Sequence, residues 1–144
     1  MPSIYRLDNE TDNLHKFGMS KKLKLILFLN GDCMQCLADL IEFENNINNY
    51  KDKNLASAVI VHTENSILAE FNLRKFKSKI PIYLDTCCDY LKYNNIEDFN
   101  NHILLLDSTN SLIYTNINNK KRHIFSKELH NCLTNKILDY EKKD

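Results

Sequence analysis

Two cysteines close together in the chain are the residues with the clearest capacity for chemistry. Cys33-Met34-Gln35-Cys36 directly follows the apolar run Leu23–Leu29, and a helical pattern opens at Cys33. The unpaired N–H groups and the dipole of a helix N-terminus favour a thiolate, whereas the neighbouring Asp32 disfavours it, so we expect only a modest shift of the Cys33 pKa. Cys36, one turn along, can attack the sulfur of a mixed disulfide. The pattern predicts an exposed nucleophile, Cys33, and a half-buried resolving thiol, Cys36.

The composition narrows the possible classes of protein. The 144 residues predict one domain (1–144), with a polar lead-in over 1–20 and a core over about 21–140. The 19 basic residues balance the 19 acidic ones, so no nucleic acid or anionic membrane is predicted as a partner. No apolar stretch approaches the roughly 20 residues of a transmembrane helix. As written, the sequence predicts a cytoplasmic protein; a trimmed signal segment would instead place it in the bacterial periplasm or cell envelope.

The order of hydrophobic segments predicts an α/β fold. A buried strand, Leu23–Leu29, precedes an amphipathic helix from Asp32 to about Asn48, with Cys36, Leu40, Phe43 and Ile47 on its apolar face. The later elements are a strand Ala56–Val61, a helix Glu64–Phe76 capped by Thr63, a strand Ile80–Leu84, a short helix Cys88–Tyr93, a hairpin of Ile103–Leu106 and Leu112–Tyr114, and a helix from Ser126 to about Tyr140. The order βαβαβ(α)ββα predicts a central mixed sheet flanked by helices.

These residues in this order resemble the thioredoxin superfamily, and within it the TlpA-like redoxin branch. Asn30–Leu40 is similar to the G-D-C-x-x-C-x-x-E/D-L stretch of small thioredoxin-like proteins of Bacteroidetes. Ile82–Asp85 is similar to that branch's P-v-x-x-D strand, and Leu104–Tyr114 to its f-l-i-D-x-x-G-x-i-v-y hairpin. The resemblance covers roughly residues 20–140. It implies a thioredoxin-like fold and a bacterial redoxin with a redox-active CxxC centre.

The resemblance also implies roles for individual residues. The family's cis-proline loop, which faces the disulfide, falls at Asn101-His102, so these two residues and Met34-Gln35 are the implied substrate-binding positions. No proline is present there, and we expect a trans peptide, because a non-proline cis bond costs about 2.5–4 kcal/mol. Asp39 stands where the family carries a glutamate. It shares a helix side with Cys36, so it is either an acceptor for the proton of that thiol or an ordinary solvated carboxylate.

The remaining cysteines have less specific interpretations. Cys87 and Cys88 follow the third predicted strand, and if that strand is parallel to the first they open on the same sheet edge as Cys33. They are either accessory thiols that exchange electrons with the CxxC or a buried cysteine beside an exposed one, which is the favoured alternative. Cys132 is expected in the core. A zinc site built from the CxxC, Cys87, Cys88 and His102 is a less favoured hypothesis.

The sequence therefore favours a thiol–disulfide oxidoreductase that acts on a protein disulfide or dithiol partner and needs no organic cofactor or metal. The other hypotheses are a non-catalytic thioredoxin-fold binding module and, less favoured, a thiol peroxidase. The binding module is suggested by two departures from the family pattern, Asp32 in the place of a tryptophan and the missing cis-proline. The peroxidase is weakened because Ile26 and Asn30 occupy the positions where its motif needs Pro and Thr or Ser. Whether the chain reduces or oxidises its partner, and its oligomeric state, stay open.

Overall fold

A computed structural model describes residues 4–7, 17, 21–31, 35–50, 54–98, 100–117 and 123–143. In chain order its elements are β1 (Ile4–Arg6), β2 (Leu23–Asn30), α1 (Gln35–Ile47), β3 (Leu55–His62), α2 (Ser66–Phe76), β4 (Ile82–Asp85), α3 (Asp89–Tyr93), β5 (His102–Asp107), β6 (Leu112–Thr115) and α4 (Lys127–Lys143). A 3₁₀ turn, Asn48–Tyr50, follows α1. The predicted α/β class and the order of its elements are confirmed. β1 is an addition, since it lies in the segment 1–20 that we expected to be a polar lead-in.

The strands form one mixed sheet in the order β1-β4-β3-β2-β5-β6. β2, β3 and β4 are mutually parallel, whereas β1, β5 and β6 pair antiparallel with their neighbours. The register places Asn30 opposite His62 and His62 opposite Asp85. These three residues mark where the parallel strands end, and we call this side of the sheet the carboxyl edge. The third predicted strand, β4, therefore runs parallel to the first, β2, and the segment after it opens on the same edge.

Both faces of the sheet are covered by packed side chains. Leu25, Leu27 and Leu29 of β2 belong to the larger cluster, which includes residues of α1, α2 and α4. The alternate residues Ile26 and Phe28 belong to a smaller cluster with α3. The period of two follows from the pleat of a strand, which points successive side chains to opposite faces. The near-continuous apolar run of β2 is thus explained by its burial on both sides.

The helix after β3 begins later than predicted, and a different residue caps it. Asn65, and not Thr63, is the N-cap of α2, because its side chain accepts a hydrogen bond from the backbone N–H of Leu68 at 3.1 Å. The Thr63 hydroxyl instead accepts from the N–H of Asn65 at 3.0 Å. The helix is also more exposed than its apolar residues suggest, with Ile67 at 83% and Phe71 at 57% exposure.

The last helix agrees closely with its expectation. Ser126 precedes α4, and its hydroxyl accepts the backbone N–H of Leu129 at 3.1 Å, as an N-cap does. Leu129 and Leu133 are fully buried against the sheet.

Within the described ranges no helix has both the length and the apolar character needed to cross a membrane.

Candidate functional site

The second cysteine of the CxxC lies at the start of the helix that follows β2. α1 begins at Gln35, so Cys36 occupies its first turn, and the thiol-bearing residue is only 6% exposed. It packs in the larger core cluster, deeper than the half-buried position expected from the sequence. Cys33 and Met34, the predicted nucleophile and a predicted substrate-binding residue, lie outside the described residues.

A glycine makes the exit from β2 possible. The N–H of Gly31 donates to the carbonyl oxygen of His62 at 2.7 Å, which extends the contact between β2 and β3 by one residue. A Cβ at position 31 would lie 2.6 Å from Cγ1 of Val61 and 2.9 Å from the same carbonyl oxygen. A larger residue therefore cannot be accommodated without a shift of the backbone. Close packing at this point holds the end of the strand that leads into the CxxC.

A buried polar bridge joins α1 to the end of β2. The Asp39 carboxylate accepts a hydrogen bond from the Asn101 side-chain amide at 2.5 Å, and the Asn101 side-chain oxygen accepts the N–H of Asn30 at 2.7 Å. Asp39 is 8% and Asn101 9% exposed. Asp39 is therefore not a solvated helix carboxylate, and we name this arrangement the Asp39–Asn101 bridge. The sequence directed attention to Asn101 as a substrate contact, but its pairing with Asp39 was not expected.

His102 lies at the same edge but on the other face of the sheet. Its ring stacks on Phe28, with centroids 4.9 Å apart, and it is 1% exposed. Nδ1 is 2.9 Å from the carbonyl oxygen of Asn100, and Nε2 is 3.1 Å from the hydroxyl of Tyr90. A carbonyl only accepts, so Nδ1 carries the proton in the neutral ring and Nε2 accepts from the tyrosine. The structure thus encloses this side chain beneath α3 and does not bring it to Cys36.

The Tyr90 hydroxyl and the peptide bond before His102 complete the description of this part of the site. Burial raises the pKa of Tyr90, which keeps its hydroxyl protonated and able to donate to His102. No peptide bond is cis within the described ranges, so the bond between Asn101 and His102 is trans, as expected from the missing proline.

Cys87 and Cys88 lie at the carboxyl edge, just after β4. Both are free thiols; Cys87 is exposed and Cys88 partly buried. Their segment follows the buried Asp85, whose carboxylate accepts the N–H groups of Asp89 at 3.1 Å and Tyr90 at 2.9 Å and so caps α3. Partial burial, and then the nearby Asp85 charge, raise the pKa of the Cys88 thiol. Two strand spacings, roughly 10 Å, separate the ends of β2 and β4, so a role for these thiols beside the CxxC stays a prediction.

The capping role of Asp85 was missed in the sequence, although the residue was noted for its place in the strand motif. A carboxylate four residues before a short helix was the available signal.

The other predicted alternatives concern Cys132 and zinc. Cys132 is partly buried on α4 and packs against the larger cluster, and burial raises its pKa. Among the residues that the structure describes, no three His, Cys, Asp or Glu side chains are grouped to hold a metal ion. Of the residues in the predicted zinc set, Cys36 packs in the larger cluster, whereas His102 stacks on Phe28 of the smaller cluster, on the other face of the sheet.

Comparisons with known proteins agree on the fold. No protein-family model and no curated protein matches the chain. The thioredoxin domain of a thiol-disulfide oxidoreductase from Bacteroides vulgatus superposes with a TM-score of 0.69 at 18% identity, covering 92% of this chain and 89% of that one. The pneumococcal exposed lipoprotein thioredoxin of Streptococcus pneumoniae gives a TM-score of 0.65 at 14% identity, with 89% and 98% covered.

A thioredoxin-like protein from Porphyromonas gingivalis has a TM-score of 0.62 at 14% identity, with 92% of this chain and 86% of that one covered. Several of the similar structures come from Bacteroidetes, as the resemblance to the TlpA-like redoxin branch suggested. At these identities the similarity establishes the architecture. The chain therefore has the thioredoxin-like fold, and its structural neighbours include thiol-disulfide oxidoreductases.

Proposed function

We propose that the chain is a thiol–disulfide oxidoreductase whose Cys33-x-x-Cys36 exchanges electrons with a protein disulfide or dithiol. The observation that carries the proposal is the position of Cys36. It lies in the first turn of α1, the helix that follows β2 in the chain, and one turn before the buried carboxylate of Asp39. A thiol beside a helix start and a proton acceptor one turn along suit disulfide exchange. The fold shared with thiol-disulfide oxidoreductases supports the same reading.

The exchange proceeds in two balanced steps. The Cys33 thiolate attacks one sulfur of the partner disulfide, so that the partner's S–S bond breaks, a mixed disulfide forms, and one partner sulfur leaves as a thiolate that takes up a proton. Cys36 then loses its proton and attacks the Cys33 sulfur, which releases the second partner thiol. The partner gains two electrons, and the Cys33–Cys36 pair becomes a disulfide that a separate dithiol donor must reduce.

Asp39 is the proposed acceptor of the Cys36 proton. The two residues are three apart on α1, a spacing that places side chains on one side of a helix. Both are buried, and the amide of Asn101 holds the carboxylate by its Oδ2 atom. In this arrangement the amide of Asn101 orients the carboxylate that we propose as the proton acceptor. No organic cofactor and no metal enters the steps.

Reduction of insulin disulfides by dithiothreitol tests the proposal. We expect the wild type to accelerate precipitation of the insulin B chain, Cys33→Ser to reduce the rate to the uncatalysed background, and Cys132→Ser, the matched control, to keep the wild-type rate. Cys36→Ser should instead accumulate a mixed disulfide with the partner, visible by mass spectrometry without reductant. Equal rates for wild type and Cys33→Ser would reject the oxidoreductase and favour the binding module. Turnover of hydrogen peroxide that requires Cys33 would favour the peroxidase.

The role of Asp39 is tested separately with Asp39→Asn. The asparagine keeps an oxygen that can accept the Asn101 amide hydrogen bond, but it removes the proton acceptor. General acid–base catalysis contributes about 10²–10⁴-fold, so we expect the release of the mixed disulfide to slow by about 100-fold near neutral pH and to recover as the pH rises. Asp139→Asn on α4 is the control, because Asp139 is an exposed helix carboxylate. A wild-type pH profile in Asp39→Asn would exclude the proton-acceptor role.

A further inference from the structure

The exposed side of α2 carries large apolar side chains. Ala69 and Leu73 of this helix pack in the larger core cluster and are 9% or less exposed. Ile67, Leu68 and Phe71 project from the other side and are 83%, 55% and 57% exposed. A helix that covers a sheet ordinarily has polar residues on its solvent side. Packing within a single copy of the chain therefore does not account for these three apolar residues.

Charged residues stand at the two ends of this apolar side. Lys75, in the last turn of α2, lies four residues after Phe71, and its ammonium is 4.0 Å from the centroid of the Phe71 ring. Glu64 is exposed and lies at the other end, just before the N-cap Asn65 and four residues before Leu68. Steps of three and four residues place side chains on one side of a helix, so these side chains form a line that is acidic at its start, apolar in its middle and basic at its end. We call this line the α2 stripe: Glu64, Leu68, Phe71 and Lys75.

The α2 stripe is complementary to a second copy of itself. When two α2 helices lie antiparallel across a twofold axis at the middle of the stripe, Leu68 of each copy lies opposite Phe71 of the other. The same axis places Glu64 of each copy opposite Lys75 of the other, so that both ends of the stripe pair acid with base. The antiparallel arrangement also brings opposite ends of the two helix dipoles together. A parallel arrangement would place Glu64 beside Glu64 and Lys75 beside Lys75, which is disfavoured because like charges repel.

We propose that two copies of this chain associate through their α2 stripes as an antiparallel pair with twofold symmetry. Burial of the apolar middle supplies the attraction, and the paired charges at the ends fix the register. The formal net charge of the chain is +0 at pH 7, so overall charge repulsion does not oppose the approach of two copies. The inference goes beyond the thiol chemistry proposed for Cys33 and Cys36 and does not rest on it.

The size of the surface sets the expected affinity. α2 has 11 residues, which makes it about 16 Å long. One such helix offers less than the roughly 800 Å² per partner of a standard interface. The pair should therefore be weak, with a dissociation constant on the order of 0.1 mM.

Sedimentation velocity of the full-length chain tests the association. The measurement spans about 10 μM to 1 mM, on both sides of the expected dissociation constant, and a reductant is present so that the exposed Cys87 cannot cross-link two copies. We expect the average mass to rise with concentration from that of a monomer towards that of a dimer and no further. A chain that stays monomeric at the highest concentration would leave the stripe to a different partner and would overturn the proposal. Growth beyond the dimer would also overturn it, because a twofold pair is closed.

Two aromatic variants locate the interface. Phe71→Ser should weaken association at least about tenfold, because it removes an aromatic side chain from the middle of the stripe. Tyr93→Ser is the matched control, since it removes an aromatic side chain that is 85% exposed at the end of α3, which packs on the other face of the sheet. This control should keep the wild-type affinity. Equal weakening in both variants would show non-specific apolar association and would reject the α2 stripe.

Exchange of the charged ends tests the register. Glu64→Lys and Lys75→Glu each place like charges opposite one another in the pair, and each should weaken association by about threefold or more. The double variant that carries both changes has the same net charge as the wild type and restores both pairs, so its affinity should return to within about twofold of the wild type. A fault in folding cannot imitate this recovery, because the double variant contains both changes. A double variant no tighter than the single variants would overturn the proposed pairing.

Discussion

Replacement of Asn101 by alanine should destabilise the fold through the Asp39–Asn101 bridge. The change removes one hydrogen bond to a carboxylate that is 8% exposed and one to the backbone N–H of Asn30. A hydrogen bond to a charged group contributes about 1.5–3 kcal/mol and a neutral one about 0.5–1.5 kcal/mol. The expected loss is therefore about 2–4 kcal/mol, a large part of the roughly 5–15 kcal/mol by which such domains are stable.

Urea unfolding followed by circular dichroism measures this loss. With a slope of about 2 kcal/mol per molar urea, the midpoint should fall by about 1–2 M. Asn100→Ala is the matched control, because Asn100 is the exposed neighbour of Asn101 and should move the midpoint little. A double-mutant cycle with Asp39→Ala should give a coupling free energy of about 1–2 kcal/mol. A loss below about 0.5 kcal/mol, or no coupling, would refute the bridge as a stabilising contact.

Three further predictions follow from other parts of the structure. Gly31→Ala should lower the free energy of unfolding by about 1–3 kcal/mol in urea, because its Cβ would overlap neighbouring atoms; a wild-type value would contradict this packing. Hydrogen bonds from the Thr109 hydroxyl and from backbone N–H groups hold the pKa of Asp107 below its ordinary value of 3.8. Asp107→Asn should therefore lower the free energy of unfolding fully above that pH, and the difference from the wild type should vanish as the pH falls through the folded-state pKa. A difference that stays constant between about pH 2 and pH 6 would disagree. Cys87 should react with iodoacetamide at least about tenfold faster than Cys88 near neutral pH, as measured by peptide mass spectrometry, because Cys87 is exposed and burial raises the pKa of Cys88; the reverse order would be inconsistent with the structure.

The parts of the fold that were predicted from the sequence are those with a strong local pattern. The apolar run of β2 and the spacing of Leu40, Phe43 and Ile47 on α1 each carry their own periodicity, and all of these residues are buried. β1 has no such signal. It is three residues long, and it forms because it pairs with β4, nearly 80 positions away in the chain. Pairing of this kind is a tertiary effect that local propensity does not contain.

The candidate site shows the same division. The CxxC and Asp39 could be singled out because their spacing on a helix has a chemical meaning by itself. The hydrogen bond that buries Asp39 comes from Asn101, a residue 62 positions away, and an isolated asparagine in an asparagine-rich chain gives no indication of its partner. The position of His102 likewise depended on which face of β5 its strand register selects, because a shift of one residue exchanges the two faces.

The two outer strands of the sheet also bear on self-association. β1 has three residues and β6 has four, so each outer strand offers only about 10–14 Å of backbone to a strand from another molecule. The pairing of β6 is further interrupted by a register shift between Leu105 and Leu106. Short or irregular edge strands commonly limit the pairing of a sheet with strands of other molecules. The long apolar strands β2 and β3, which would be the strongest seeds for fibril growth, are shielded in the middle of the sheet.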